Sequence, residues 1–340
     1  MGGQPTSAPK RLASFVGGAL PAVIVALLLY GAFFIKPTVR TVGVEPPSIE
    51  QRDLFFGVVM PARDQIWAVG SNGKIIRSSD EGANWERQPS GATTHLQSIA
   101  TWDGERAVVV GNNLTILLTS DGGKSWEPSA APEGVDKTNK LVRVRILANG
   151  QAMAVGEFGT IIASRDYGAS WHAVSTPVDA SWNDVALVDE NKAIVVGEFG
   201  HIQMTTDAGA TWVEIESPVK SSLNSVYFRD RENGVAAGTE GVVLVTHDGG
   251  ESWSIVPKLS EQHIFDAFWD GGRWVLSGDK GLLLIGSADG KQWTDRSRLT
   301  DSGWHTQGAG SDGKYALVGR GVNIVKMPSE NNDTTEQSRD

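Results

Sequence analysis

The feature that most limits what this chain can fold into is a repeat of about 41 residues running from residue 53 to residue 327. Its first marker has the form Ser/Thr-x-Asp-x-Gly-x-x-Trp. It occurs as Ser78/Asp80/Gly82/Trp85, Thr119/Asp121/Gly123/Trp126, Ser164/Asp166/Gly168/Trp171, Thr205/Asp207/Gly209/Trp212 and Thr246/Asp248/Gly250/Trp253. A sixth copy, Ser287/Asp289/Gly290/Trp293, is one residue shorter. The tryptophans lie 41, 45, 41, 41 and 40 residues apart. The second marker is a glycine that ends an apolar run: Gly70, Gly111, Gly156, Gly197, Gly238, Gly278 and Gly319, spaced 41, 45, 41, 41, 40 and 41. Two landmarks that keep one spacing, even through a four-residue insertion, establish seven units.

Each unit reads as four short strands separated by turn residues. In the fifth these are Asn224–Phe228, Gly234–Gly238, Gly241–Thr246 and Ser252–Val256. Beyond residue 36 no stretch holds a helical period long enough to compete. The 40 glycines and 12 tryptophans of the 340 residues suit such a turn-rich pattern. Four antiparallel strands in about 40 residues make a propeller blade, because one blade cannot bury both of its faces alone. The predicted fold is all-β, a seven-bladed β-propeller over 53–327. The seventh unit offers strands near Trp304–Ala309, Lys314–Gly319 and Val322–Met327, but no fourth strand and no aspartate box. A segment within 38–49 is expected to close that edge, and the polar tail 328–340 to be disordered.

Ahead of the repeats, Leu12 to Ile35 carries no charge and is flanked by Lys10, Arg11, Lys36 and Arg40. Twenty-four residues rise roughly 36 Å, enough to span a ~30 Å hydrocarbon core. Residues 12–35 are therefore expected to form a single uncleaved transmembrane helix, with Pro21 as a kink. The tail 1–11 is expected in the cytoplasm, and 36–52 as a tether to a propeller on the periplasmic or lumenal side of an inner or thylakoid-type membrane.

A net charge of −10 disfavours nucleic-acid binding. With no cysteine there is no disulfide, thiolate metal site or cysteine nucleophile. The six histidines show no zinc spacing, there is no G-x-S-x-G elbow, and no cofactor is expected. Asp80, Asp121, Asp166, Asp207, Asp248 and Asp289 recur because their carboxylates and the Ser/Thr hydroxyls cap turn N–H groups. Six copies point to architecture. Calcium sites would need denser oxygen clusters.

These boxes resemble the Asp-box (bacterial neuraminidase) repeat, and the wider unit resembles the photosystem II stability/assembly factor family of seven-bladed propellers. The likeness spans 53–327. It implies a non-catalytic propeller on the lumenal or periplasmic side that helps assemble an integral-membrane complex, with no small-molecule substrate. In hosts without photosystems it implies a different partner, such as a transporter. Unlike the photosynthetic members, this chain is expected to keep its apolar helix uncleaved, and it has no cysteine to carry a lipid. Asp boxes also occur in sialidases and other glycosidases, so a carbohydrate-directed protein is the alternative. The Phe/Tyr-Arg-Ile-Pro signature of sialidases is absent, which favours no enzyme.

Two groups are candidates for partner binding. The turns between second and third strands differ from blade to blade while their flanks repeat. They carry Glu157-Phe158, Glu198-Phe199, Glu240, Asp279 and Arg320. Two neighbouring Gly-Glu-Phe-Gly turns would form a sticky acidic patch, unless each ring covers its own hairpin. The second group, Lys137, Lys140, Arg143 and Arg145, is a basic run in an acidic chain. Arg143 aligns with Asp184 of the next blade, so an inter-blade ion pair competes with docking. The resemblance implies docking through an arginine-rich patch.

Overall fold

The computed structural model describes residues 11–34, 47–175 and 178–328, with side chains from Pro21 onward. The chain divides into two units, Met1–Pro46 and Pro47–Asp340. In the first, Arg11–Phe34 is one α-helix of 24 residues. Its part with described side chains, Pro21–Phe34, rises only about 21 Å, and among the described residues no helix is long and apolar enough to cross a membrane. The segment expected to span at 12–35 is thus helical up to Phe34. The expected tail before Arg11, the tether residues 35–46 and the tail after Pro328 lie outside the described residues.

The second unit is built from seven antiparallel sheets, each running in chain order from an inner to an outer strand. Six have four strands and the seventh has three. Blade five comprises Leu223–Phe228, Gly234–Gly238, Val243–Thr246 and Ser254–Ile255. The outer strands are shorter than the alternation suggests, two or three residues each. The inner strands of successive blades touch around the ring, and His305–Ser311 of blade seven lies against Phe55–Ala62 of blade one.

Core clusters form between blades. Ala100, Val108 and Val110 of blade two, for example, pack on Leu141, Val144 and Ala154 of blade three. Second strands are covered on both faces and read as unbroken apolar runs, as in Ala193–Gly197. Each run ends in a landmark glycine for a steric reason. A Cβ at Gly156 would lie 1.9 Å from the Lys140 carbonyl oxygen, and one at Gly238 would lie 2.0 Å from that of Ser222. Only a residue without a side chain lets the inner strand begin there.

In the aspartate boxes the hydroxyl and the carboxylate divide the work. In the second box Thr119 Oγ1 donates to Asp121 Oδ1 at 2.8 Å and accepts the Gly123 N–H at 2.9 Å. Asp121 accepts the Ser125 N–H at 3.0 Å and the Ser125 hydroxyl at 2.7 Å. Bonds from Ser125 and Thr119 hold Asp121 at about 2. Asp207 is likewise held at about 2 by Thr211 and Thr205. At Asp248 burial opposes the shift, but Ser252 and Thr246 outweigh it and the value is again about 2.

Blade seven has no fourth strand among the described residues. Of the segment expected to supply it, 38–46 lies outside the described residues, and 47–49 is not a strand. Ile49 packs against the cluster of Phe55, Ile66, Ala316 and Val318 that joins blades one and seven. Lys314, buried on blade seven, crosses to Glu81 of blade one at 2.9 Å.

Candidate functional site

An innermost strand leaves one edge unpaired, so its backbone N–H groups facing the channel need acceptors. In all seven blades a register shift follows the first residue of this strand, as between Leu223 and Ser225. Such a bulge re-aims the residue after it. The re-aimed positions are Gly57, Ser98, Arg143, Asp184, Ser225, Asp266 and Gln307.

Five of these side chains accept an N–H from the next blade. Ser98 accepts from Val144 at 3.3 Å, Asp184 from Val226 at 3.1 Å and Ser225 from Ala267 at 3.1 Å. Asp266 accepts from Gly308 at 2.8 Å, and Gln307 from Val58 at 3.1 Å. Gly57 has no side chain, and a Cβ there would meet the Ser98 Cα at 2.8 Å. Arg143 cannot accept, and Val185 N–H is taken by its neighbour Asp184 at 2.8 Å.

Arg143 and Arg145, at the end of the basic run, both lie on the inner strand Leu141–Ile146. Arg145 holds Asp184 with Nε at 3.2 Å and Nη2 at 2.8 Å. Arg143 reaches Asp184 at 3.4 Å and, from blade three to blade six, Asp266 at 3.1 Å. The Ser225 hydroxyl donates to Asp184 at 2.8 Å and lies 3.3 Å from Asp266, between the two carboxyls. Asp184 and Asp266 are 0 and 1% exposed and Arg145 is 21% exposed, so the quartet is a charge-balanced plug with its carboxylates buried. Burial alone would push Asp184 up, but Arg143, Arg145 and Ser225 outweigh it and hold it below its ordinary value. At Asp266 burial dominates, Asp184 adds to it, and the carboxyl is raised despite the arginines. Of the other two basic candidates, Lys137 is exposed, and Lys140 pairs with Glu157 at 3.2 Å.

The turns between second and third strands share one backbone solution. Their central residue is left-handed in Asn72 (φ 54°), Asn113 (57°), Phe158 (53°), Phe199 (58°), Glu240 (59°) and Lys280 (52°). Asn takes this conformation cheaply; Phe does not. Both rings point outward, Phe158 being 56% and Phe199 64% exposed. Val178, 43% exposed, donates its N–H to the Phe158 carbonyl at 3.3 Å and extends the patch. Glu157 and Glu198 each cap the start of their own inner strand, accepting the Lys140 and Ser181 N–H groups at 3.1 and 2.9 Å. Glu240 receives the Ser221 hydroxyl at 3.4 Å, Asp279 receives the Lys280 N–H at 2.9 Å, and Arg320 is exposed.

Two groups of residues escaped the sequence reading. In the first five boxes the residue before the tryptophan (Asn84, Ser125, Ser170, Thr211, Ser252) bonds the aspartate through both backbone and side chain. Its constant polarity was the available signal. Ser98, Ser225, Asp266 and Gln307 were also missed, although they recur at the repeat spacing.

Fold and boxes together define a seven-bladed Asp-box propeller whose channel charges are paired with one another. A family profile, Photosynthesis system II assembly factor YCF48, matches residues 91–213 and 165–264, together just over half of the chain. The chain belongs to this family. A sequence search of curated proteins finds no match. Among solved structures it is similar to YCF48 bound to D1 peptide, with TM-score 0.67 and 18% identity over 82% of this chain and 93% of that one. YCF48 from Cyanidioschyzon merolae gives TM-score 0.67 and 18% identity, covering 83% of this chain and 98% of that one. The GH74 enzyme of Niastella koreensis gives 0.61 and 16%, covering 81% of this chain and 43% of that one. At these identities the likeness is one of fold.

Proposed function

We propose that this protein is a membrane-anchored, non-catalytic propeller that binds a segment of an integral-membrane complex and helps to assemble or stabilise it. The observation that carries this reading is the plug. A glycosidase on this scaffold would need two accessible carboxylates about 5–9.5 Å apart in an open pocket. Here the inward carboxylates Asp184 and Asp266 are buried and spent on Arg143, Arg145 and backbone N–H groups. The grooves described on the molecule lie between blades, such as one of about 620 Å³ beside Trp212, and neither carboxylate lines them. Family membership and the D1 peptide bound by the related YCF48 support a protein segment as the ligand.

The uncharged run from Leu12 to Ile35 and the exposed Leu27, Leu28, Phe33 and Phe34 support a helix held in lipid. Its basic flank at Lys10 and Arg11 favours a cytoplasmic N-terminus, with the propeller periplasmic or lumenal. A tether of this length raises the effective concentration of the propeller at membrane partners. In a host without photosystems the partner becomes another assembly, such as a transporter.

The test is affinity purification of the full chain from detergent-solubilised membranes, beside a version lacking residues 1–36. One stoichiometric membrane complex should accompany the full chain and be depleted with the shortened one. Recovery of the full chain alone, or its release from membranes by alkaline carbonate, would refute the reading.

A further inference from the structure

The plug and the boxes account for most of the unusual residues in the propeller, but not for Phe158 and Phe199. In the left-handed turn position blades one and two carry Asn, the side chain that tolerates it best. Blades three and four carry the bulkiest residue of the set in the same conformation. The strain is not offset by burial, because both rings face solvent. Among the described residues outside the helix, the exposed large apolar side chains are Phe158, Val178, Phe199, Val213 and Ile255; Phe158 and Phe199 hold equivalent turn positions on neighbouring blades, and Val178 is bonded to the Phe158 carbonyl.

The charges beside them differ. Glu157 is neutralised by Lys140 at 3.2 Å. Glu198 and Glu240, flanking Phe199 on blades four and five, have no cationic partner among the described residues. An apolar pair bordered on one side by unpaired negative charge matches an extended chain whose apolar side chains sit next to a basic one.

We propose that the turns of blades three and four form a docking surface for an extended peptide segment bearing alternate apolar side chains and a lysine or arginine. Phe158, Val178 and Phe199 receive the apolar groups, and Glu198 with Glu240 receives the cation. This deepens the binding role given above and rests on it.

The test uses the double variant Phe158→Asn/Phe199→Asn and an array of fluorescent nonapeptides. Each peptide carries Leu or Phe at alternate positions and Lys, Gln or Glu at the centre. The wild type should bind the Lys peptides roughly tenfold more tightly than the Glu peptides. The double variant should lose binding by at least about tenfold, while its Tm rises by about 2 °C as strain is relieved. Glu198→Gln should erase the Lys-over-Glu preference and keep the apolar requirement. A double variant that melts below the wild type would show that the rings hold their hairpins. That result, equal binding of Lys and Glu peptides, or no binding of any peptide by the wild type overturns the proposal. Peptide binding without a co-purified complex would refute the membrane role alone; a co-purified complex undiminished in the double variant would refute this surface alone.

Discussion

Asp184 offers the sharpest test of the plug, because so much converges on one carboxylate. It receives two bonds from Arg145 at 3.2 and 2.8 Å, the Ser225 hydroxyl at 2.8 Å, and the Val185 and Val226 N–H groups at 2.8 and 3.1 Å. Arg143 lies 3.4 Å away. Asp184→Asn keeps the shape but removes the charge, leaving two guanidinium ions facing Asp266 alone. Breaking a buried pair in this way costs about 3–5 kcal/mol. For a propeller of this size that lowers Tm by roughly 10 °C. Thermal melts followed by circular dichroism and equilibrium urea unfolding would both read it. Adding Arg145→Gln restores one cation to one carboxylate, so the double variant should be more stable than the sum of the singles by about 1–2 kcal/mol. A single variant within about 1 kcal/mol of wild type, or strict additivity in the pair, would refute the charge-balance reasoning.

Other expectations follow from the same geometry. The box aspartates have folded pKa values below that of the unfolded chain, so their stabilisation is complete above about pH 4 and is lost as pH falls toward about 2. The deficit of Asp207→Asn against wild type should therefore be largest at pH 7 and vanish near pH 2 in a series of melts. Gly238→Ala should cost about 3 kcal/mol through its clash with Ser222 O, whereas Gly321→Ala, with nothing within 4 Å, should cost less than about 0.5 kcal/mol. Urea denaturation of the two separates these. Ser225→Ala strands the Ala267 N–H and removes the hydroxyl between two carboxyls, for about 2–3 kcal/mol, while Ser98→Ala strands only the Val144 N–H, for about 1 kcal/mol.

The blade count and strand order were legible because each landmark answers to one local constraint. The apolar run marks a strand covered on both sides, its final glycine marks a carbonyl approaching to about 2 Å, and the box marks a capped turn. Each is read within a single repeat unit. The plug is not local. Arg143 was matched with Asp184 by counting back from the glycine, but its 3.1 Å contact is with Asp266, three blades on, where the hairpin is one residue shorter and the count slips. The strain at Phe158 and Phe199 was equally hidden. Asn announces a left-handed residue in sequence, whereas Phe announces burial, and here it is neither helical nor buried. The closure of blade seven could not be judged from strand patterns, since among the described residues side chains such as Lys314 and Ile49 join the ends.

A sevenfold repeat supplies its own controls, and this gives the departures their meaning. At the channel position Ser98 and Ser225 show that a hydroxyl suffices to accept the next blade's N–H. Arg143 therefore carries a buried charge that the ring does not need for its backbone, and it is the carboxyls of Asp184 and Asp266 that face it. At the turn position Asn72 and Asn113 show that the bend can be made without strain. The two kinds of departure meet on blades three and four, where the charged plug begins and the exposed rings stand. The carboxylates of the plug are hidden from outside, since Asp184 and Asp266 are at most 1% exposed, so they can act on a partner at the turns by fixing how neighbouring blades sit. The rings are the reverse, adding nothing to packing and presenting apolar surface to whatever arrives. If plug and patch serve one purpose, Asp184→Asn/Arg145→Gln should weaken peptide binding at the turns although it touches none of them. If the plug only holds the ring together, binding should follow the fraction folded and nothing more, and titrations well below Tm would separate the two.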